Sequence, residues 1–271
     1  MLVNDPQFAP VAPLQVLEEL AKRNLRDGYG NYHLMLAHHV AEKAKWFNLM
    51  HLGAVAQQLY KYFTIIMDNS IVELGSAVDD KMIREAVEAV KVSNTTVIPV
   101  LPDVMGDGEE TRRQALEACK RWSDSETRMP GHGMMLVAQG KDWEDFTKTV
   151  DFFFLDRYKY PTINWIGIPR WLENHGISRV KAVEYVLMVA PYINIHLFGF
   201  SDNIFADFQA ARMDKQMIRG IDSAVPLRYS GSLSPMTTAE EIGKRDPDWF
   251  ENGQLETAHL QNVVRVRSWL R

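Results

Sequence analysis

Short apolar runs alternating with amphipathic segments predict an α/β fold for this chain, a (β/α)8 TIM-type barrel. Three observations carry the prediction. Seven runs have the β-branched and aromatic content of strands, and most are followed by a stretch of helical periodicity. The runs close on a polar residue or a glycine, giving Asp68, Asp103, Gln139-Gly140, Gly167, Gly199 and Asp222. Polar groups gathered at the carboxyl ends of parallel strands are how a β/α barrel builds an active site. A doubly wound open sheet is the competing arrangement.

The elements follow in order. Residues 13–24 read as a helix with Leu14, Leu17, Leu20 and Ala21 on one face, closed by Gly28 and Gly30. His33 to Ala37 reads as the first strand and ends at His38-His39; a helix through Trp46, Phe47 and Met50 follows. Phe63 to Met67 is the second strand. Asp79-Asp80 then open a helix, where acidic residues suit the positive end of the dipole. The third strand is Thr95 to Val100, and its helix, starting near Glu109, carries Leu116, Cys119 and Trp122. Met134 to Val137 is the fourth, with a helix opening at Asp142. Asn164 to Ile168 is the fifth, with Ser178 as cap of the next helix. Ile193 to Phe198 and Ile218 to Ile221 complete the seven. The eighth strand falls either after Pro226 or at 53–58, so one strand of the barrel is expected to be irregular or distorted. Residues 230–252, rich in Ser, Pro, Gly and charge, read as a surface excursion before a C-terminal helix, with 1–271 a single domain.

Composition narrows the function. With 271 residues, 46% of them hydrophobic, the chain suits one large core. No apolar stretch reaches the roughly 18 residues that suggest a membrane span, and no basic-then-apolar leader opens the chain, so a cytoplasmic protein is expected. A lone Cys119 excludes a disulfide framework and a multi-cysteine metal site. The net charge of −5 argues against a uniformly basic nucleic-acid binder but leaves room for a local patch. Arg212, Lys215, Arg219, Arg228, Lys244-Arg245 and the arginines of the tail are candidates, solvated surface charge being the plain alternative. His33, His38 and His39 invite a metal reading, but no His-Glu-x-x-His is present and a polar rim or core contact is preferred. There is no Gly-x-Gly-x-x-Gly after a strand and no phosphate loop of the Walker type.

Several strand ends carry a resemblance. Met67-Asp68-Asn69-Ser70, Val137-Ala138-Gln139-Gly140 and Ile221-Asp222-Ser223-Ala224-Val225-Pro226-Leu227-Arg228 are similar to motifs of the tRNA-guanine transglycosylase family. The last stretch weighs most, because its Asp, Pro and Arg have the family spacing. The likeness runs from about residue 33 to residue 231 and is thin between the strand ends. Asn69 and Ile71 depart from the family's Ser-Gly-Gly after the aspartate, and one cysteine cannot supply the zinc subdomain of the tRNA enzymes. The chain most resembles the short, zinc-less branch found in phages and bacterial DNA-modification clusters. That likeness implies a partner, DNA, with tRNA as the alternative, and a substrate, a 7-deazaguanine base such as preQ0. It implies no metal and no redox cofactor.

The chemistry suits these residue types. Exchanging a purine breaks the C1′–N9 bond through an oxocarbenium-like transition state, which a carboxylate can stabilise or trap covalently. The resemblance makes Asp222 the nucleophile, and Asp68 is the candidate for moving the proton of the departing and arriving base. Each could instead simply cap the next helix. Asp103, with Asp107 as its competitor, would accept from guanine N1–H and the 2-amino group, while Gln139 would donate to O6. Gly140, Gly167 and Gly199 would let the base approach backbone. Arg228, Arg219 and Lys215 would meet phosphates. Trp165, Phe198 and Phe200 could sandwich a flipped base, though core packing is the commoner use. Other readings are an inert nucleic-acid-binding partner subunit and a nucleoside N-ribosyl hydrolase. An aldolase would need a strand-end lysine, which the seven runs lack.

Overall fold

All seven runs form parallel strands in the computed structural model, which describes residues 5–13, 15–16, 32–41, 43, 63–90, 95–124, 129–130, 132–156, 158–244, 249 and 253–271. After β1 (Gln7–Pro10) come β2 (Tyr32–Leu36), β3 (Phe63–Asp68), β4 (Thr95–Pro99), β5 (Met134–Val137), β6 (Ile163–Pro169), β7 (Asn194–Phe198) and β8 (Ile218–Ser223). The helices expected over 13–24 and through Trp46 lie almost wholly outside the described residues, as do 53–58, Gly28, Gly30 and Arg245.

The eighth strand is β1, not the segment after Pro226, where Val225–Arg228 forms a helical turn. It pairs in parallel with β8, Ala9 opposite Asp222, and so joins the first strand to the last. Its sequence hides it. Four residues ending in proline, between Pro6 and Pro13, lack the composition of a central strand. Tertiary context tolerates Pro10. The amide of Val11 donates to Ser223 at 3.1 Å, so by strand alternation the nitrogen of Pro10 points to the other side, toward β2. No ladder joins β1 to β2 among the described residues, although the two lie side by side.

One ladder therefore runs β1-β8-β7-β6-β5 and the other β2-β3-β4. A parallel bridge between Val100 and Met135 connects them, reinforced by the Leu101 amide on the Met135 carbonyl at 2.9 Å. The irregularity expected of the barrel lies at the β1/β2 seam.

Helices α1 (Asp80–Val90), α2 (Gly108–Ser123), α3 (Trp143–Phe154), α4 (Arg179–Val189), α5 (Ile204–Arg212) and α6 (Thr257–Leu270) surround the strands. Asp107 is the N-cap of α2, accepting from the Glu110 amide at 2.9 Å, and Asp142 caps α3 in the same way. Ser178 precedes α4 without a side-chain cap bond. α5 had no counterpart among the expected helices. The stretch expected as a surface excursion is pinned at its start, where the amide of buried Leu233 donates to Oδ1 of Asn262 in α6 at 3.0 Å.

Strand alternation sorts the core into two layers. Leu34, Leu36, Ile66, Ile98, Val100, Met135, Val137 and Trp165 pack on one another inside the barrel. Outward-phase residues such as Ile65, Met67, Val97 and Leu136 pack against the helices. Asp68 lies two residues beyond Ile66, and Asp222 two beyond Gly220, so both carboxylates belong to the inward phase at the carboxyl end.

Candidate active site at the strand ends

A cavity of about 880 Å³ opens at this end of the barrel, and Asp68 and Asp222 both line it. Leu34, Leu36, Phe198 and Val11 supply apolar wall. Asp222 is 7% exposed. Its Oδ1 takes two N–H groups, Nε2 of His196 at 2.9 Å and the backbone amide of Gly199 at 3.1 Å. Its Oδ2 receives no hydrogen bond from the described residues. One oxygen is anchored and the other is left to the cavity.

The loop after β7 is held in place for this purpose by a fully buried guanidinium. Arg179 of α4 donates to the carbonyls of Ile168 at 2.8 Å and Gly199 at 2.6 Å, and also to that of Phe198. It pairs with buried Asp207 at 2.7 Å, whose second oxygen takes the Ser201 amide and hydroxyl. Gly199 sits at φ +66°, a left-handed conformation that turns its amide toward Asp222.

Asp103 stands differently. Asn69 donates to its Oδ1 at 2.7 Å and Gln139 to its Oδ2 at 2.6 Å. Gln139 in turn accepts from the Trp171 indole at 2.8 Å. Burial holds the Asp103 carboxyl above the usual range, against the opposing pull of the two amides. The structure thus brings the two expected base readers together, but behind the cavity wall and bonded to each other. Asp107, the competitor, is used as a helix cap.

Gly140 and Gly167 do not line the cavity. A Cβ on Gly140 would come within 2.4 Å of the Phe146 amide nitrogen, and one on Gly167 within 2.1 Å of the Phe198 ring. Each makes room for protein rather than for a base. Of the expected cations, Arg228 lines the cavity and donates to the Gly243 carbonyl at 3.2 Å. Lys215 and Arg219 are placed at the opposite end. Lys215 bonds Asp5 at 2.6 Å and the Arg271 carbonyl at 2.7 Å, and Arg219 bonds the carbonyl of Gln216, before the start of β8. Their assignment to the same phosphate-binding surface as Arg228 is corrected accordingly. They stand near Arg228 in sequence, but a strand runs along the barrel between residues 219 and 222, about 10 Å at 3.3 Å per residue. Arg170 and Lys244 line the cavity beside Arg228, with Asp202 and Glu240 among them.

Trp165 is buried in the barrel interior, and Phe200 stacks on Phe8 at 6.0 Å; of these three expected aromatics, Phe198 and Phe200 reach the cavity. His33 stacks on Phe63, and His38 Nδ1 meets the Ser70 hydroxyl at 2.8 Å. Among the described residues, no three His, Cys, Asp or Glu side chains gather as a metal site. Among them, too, no helix is long and apolar enough to cross a membrane.

Known proteins offer distant likeness only. No protein-family model and no curated protein matches the chain. A monomeric dihydrodipicolinate synthase variant superposes with a TM-score of 0.48 at 12% identity, over 82% of this chain and 70% of that one. The carboxyl transferase domain of Rhizobium etli pyruvate carboxylase, with pyruvate, gives 0.47 at 11%, over 98% of this chain and 48% of that one. Neither fit bears on what this chain does.

Sequence reasoning missed His196, Tyr32, Arg179 and Trp171. A signal existed for His196. It shares the inward phase of β7 with Phe198, between outward Ile195 and Leu197, and a polar residue there needs a partner inside the barrel. Nothing local marks Arg179, whose partners lie 11 to 28 residues away.

Proposed function

We propose that this protein is a base-exchange transglycosylase that replaces guanine in DNA with a 7-deazaguanine such as preQ0. The observation that carries the reading is the state of Asp222, whose Oδ1 is held by two N–H groups while Oδ2 is left in a cavity shared with Asp68. A carboxylate so presented is suited to attack at a sugar C1′. Asp222 Oδ2 forms a bond to C1′ as the C1′–N9 bond breaks, and the electron pair leaves on guanine, which takes a proton from Asp68. The incoming base then loses its N9 proton to Asp68 and displaces Asp222 from C1′.

Support for a nucleic-acid substrate comes from Arg170, Arg228 and Lys244 along the cavity, where phosphates of a flipped nucleotide would pass. DNA is favoured over tRNA by the resemblance to the short, zinc-less branch. The chain is proposed to act as a pentosyltransferase without a metal or redox cofactor.

Exchange of radiolabelled guanine into duplex DNA and, in parallel, unmodified tRNA tests the proposal, with Asp222→Ala as control. Label entering DNA and lost in the variant is expected. Label entering tRNA alone overturns the choice of polymer, and undiminished exchange by a folded Asp222→Ala overturns the chemistry.

A further inference from the structure

Behind Asp222 lies a hydrogen-bonded chain that crosses the barrel interior. The Tyr32 hydroxyl of β2 meets Nδ1 of His196 at 2.7 Å, and Nε2 of the same ring meets Asp222 Oδ1 at 2.9 Å. His196 is fully buried and Tyr32 is 4% exposed. We propose that Tyr32 and His196 are positioning residues for the nucleophile: the phenol fixes the ring tautomer that holds Asp222 Oδ1, leaving Oδ2 to react. This inference rests on the base-exchange reading for the reaction, though not for the tautomer.

The direction of the chain follows from donor and acceptor capacity. An ionised carboxylate only accepts, so Nε2 must carry the hydrogen. In a neutral ring Nδ1 is then a lone pair, and the Tyr32 O–H has to donate to it. Reversing the tautomer would set a lone pair against Asp222 and leave Tyr32 facing an N–H. Burial lowers the His196 pKa and raises that of Tyr32, which favours the neutral ring and the protonated phenol this arrangement needs.

Two inward-phase glycines make the chain sterically feasible. A Cβ at Gly220 would lie 2.7 Å from the Tyr32 ring, and one at Gly167 would strike Phe198, which stands edge-on to His196 at 4.8 Å. Tyr32 and Phe198 brace the imidazole, each seated where a neighbouring strand has no side chain. A histidine so constrained can hold one oxygen of Asp222 through both chemical steps. It donates to the carboxylate before attack, and to the ester carbonyl once Oδ2 is bonded to C1′.

The test uses the full chain in three variants and two measurements. Nitrogen NMR of ¹⁵N-histidine-labelled protein, without substrate, reads the tautomer. Wild type is expected to carry the proton on Nε2, and Tyr32→Phe to populate the Nδ1–H form. Steady-state exchange is expected to lose on the order of 10- to 100-fold in kcat in Tyr32→Phe, with KM little changed. His196→Leu should lose about 10²-fold. His196→Gln, which keeps a donor and an acceptor, should recover most of that loss. An Nδ1–H tautomer in wild type overturns the proposal, as does a Tyr32→Phe enzyme with wild-type tautomer and kcat. A loss equal in His196→Gln and His196→Leu does so too, since it marks a merely structural role. If wild type exchanges no base, the reaction falls, and the tautomer in Tyr32→Phe still decides whether the phenol orders the ring.

Discussion

Two buried carboxylates, at the ends of β4 and β8, are prepared in opposite ways. Asp103 has both oxygens taken, by Asn69 and Gln139, and Trp171 holds Gln139 from behind. Asp222 has one oxygen taken twice and the other free for chemistry. Burial alone does not distinguish them, at 3% and 7% exposed. What differs is where the donors converge. Donors divided between two oxygens make a rigid fixture, whereas donors on one oxygen make an oriented nucleophile.

Isosteric amides should separate the two most sharply. Asp222→Asn keeps an oxygen for the His196 and Gly199 N–H groups, so stability should shift by less than about 1 kcal/mol while exchange falls on the order of 10⁴-fold. Guanine exchange and urea unfolding on the same preparation would check both halves. Next in size is the clamp behind Gly199. Arg179→Met leaves Asp207 without its charge partner in the interior, a cost of about 3 to 5 kcal/mol in chemical unfolding. Retained stability in that variant would show that the β7 loop does not depend on the guanidinium. Asp103→Asn comes third. It sets an amide N–H₂ against one of two donors, costing about 1 to 3 kcal/mol, the reverse of the Asp222 outcome. Equal behaviour of the two asparagine variants would erase the distinction.

Acid should weaken the framework through His39. Burial, and then the neighbouring His38, lowers His39 from 6.5 to about 4. Unfolded chains therefore bind a proton below pH 6.5 that the folded protein refuses, so this contribution is complete above 6.5 and is lost as pH falls toward 4. Urea midpoints should drop between pH 7 and pH 5, and less so in His39→Gln. The smallest effect concerns the two ends of the barrel. Arg228→Ala should weaken DNA binding and reduce its salt slope by about 1, while Lys215→Ala leaves both unchanged in fluorescence anisotropy.

Local pattern was enough for β2 to β8, because β-branched runs such as Thr95 to Pro99 and caps such as Asp107 and Asp142 act over a few residues. It was enough to place Asp68 and Asp222 at the carboxyl ends of their strands. β1 escaped because Pro10 reads as a strand breaker unless its missing N–H falls on the side without a ladder. Gly140 and Gly167 looked like openings for a ligand, but whether a missing Cβ is filled by substrate or by Phe146 and Phe198 is a question of packing.

By itself the sequence determined strands β2 to β8, their polar ends and the acidic candidates, all properties of spacing and side-chain chemistry. Only the tertiary structure decided which carboxylate is presented and which is locked. That choice depends on Tyr32 meeting His196 across 164 residues, on His196 meeting Asp222 across 26, and on Gln139 meeting Asp103 across 36. Hydrogen bonds that span the barrel interior are set by strand register and by which strands lie side by side, and neither is written in any local stretch of chain.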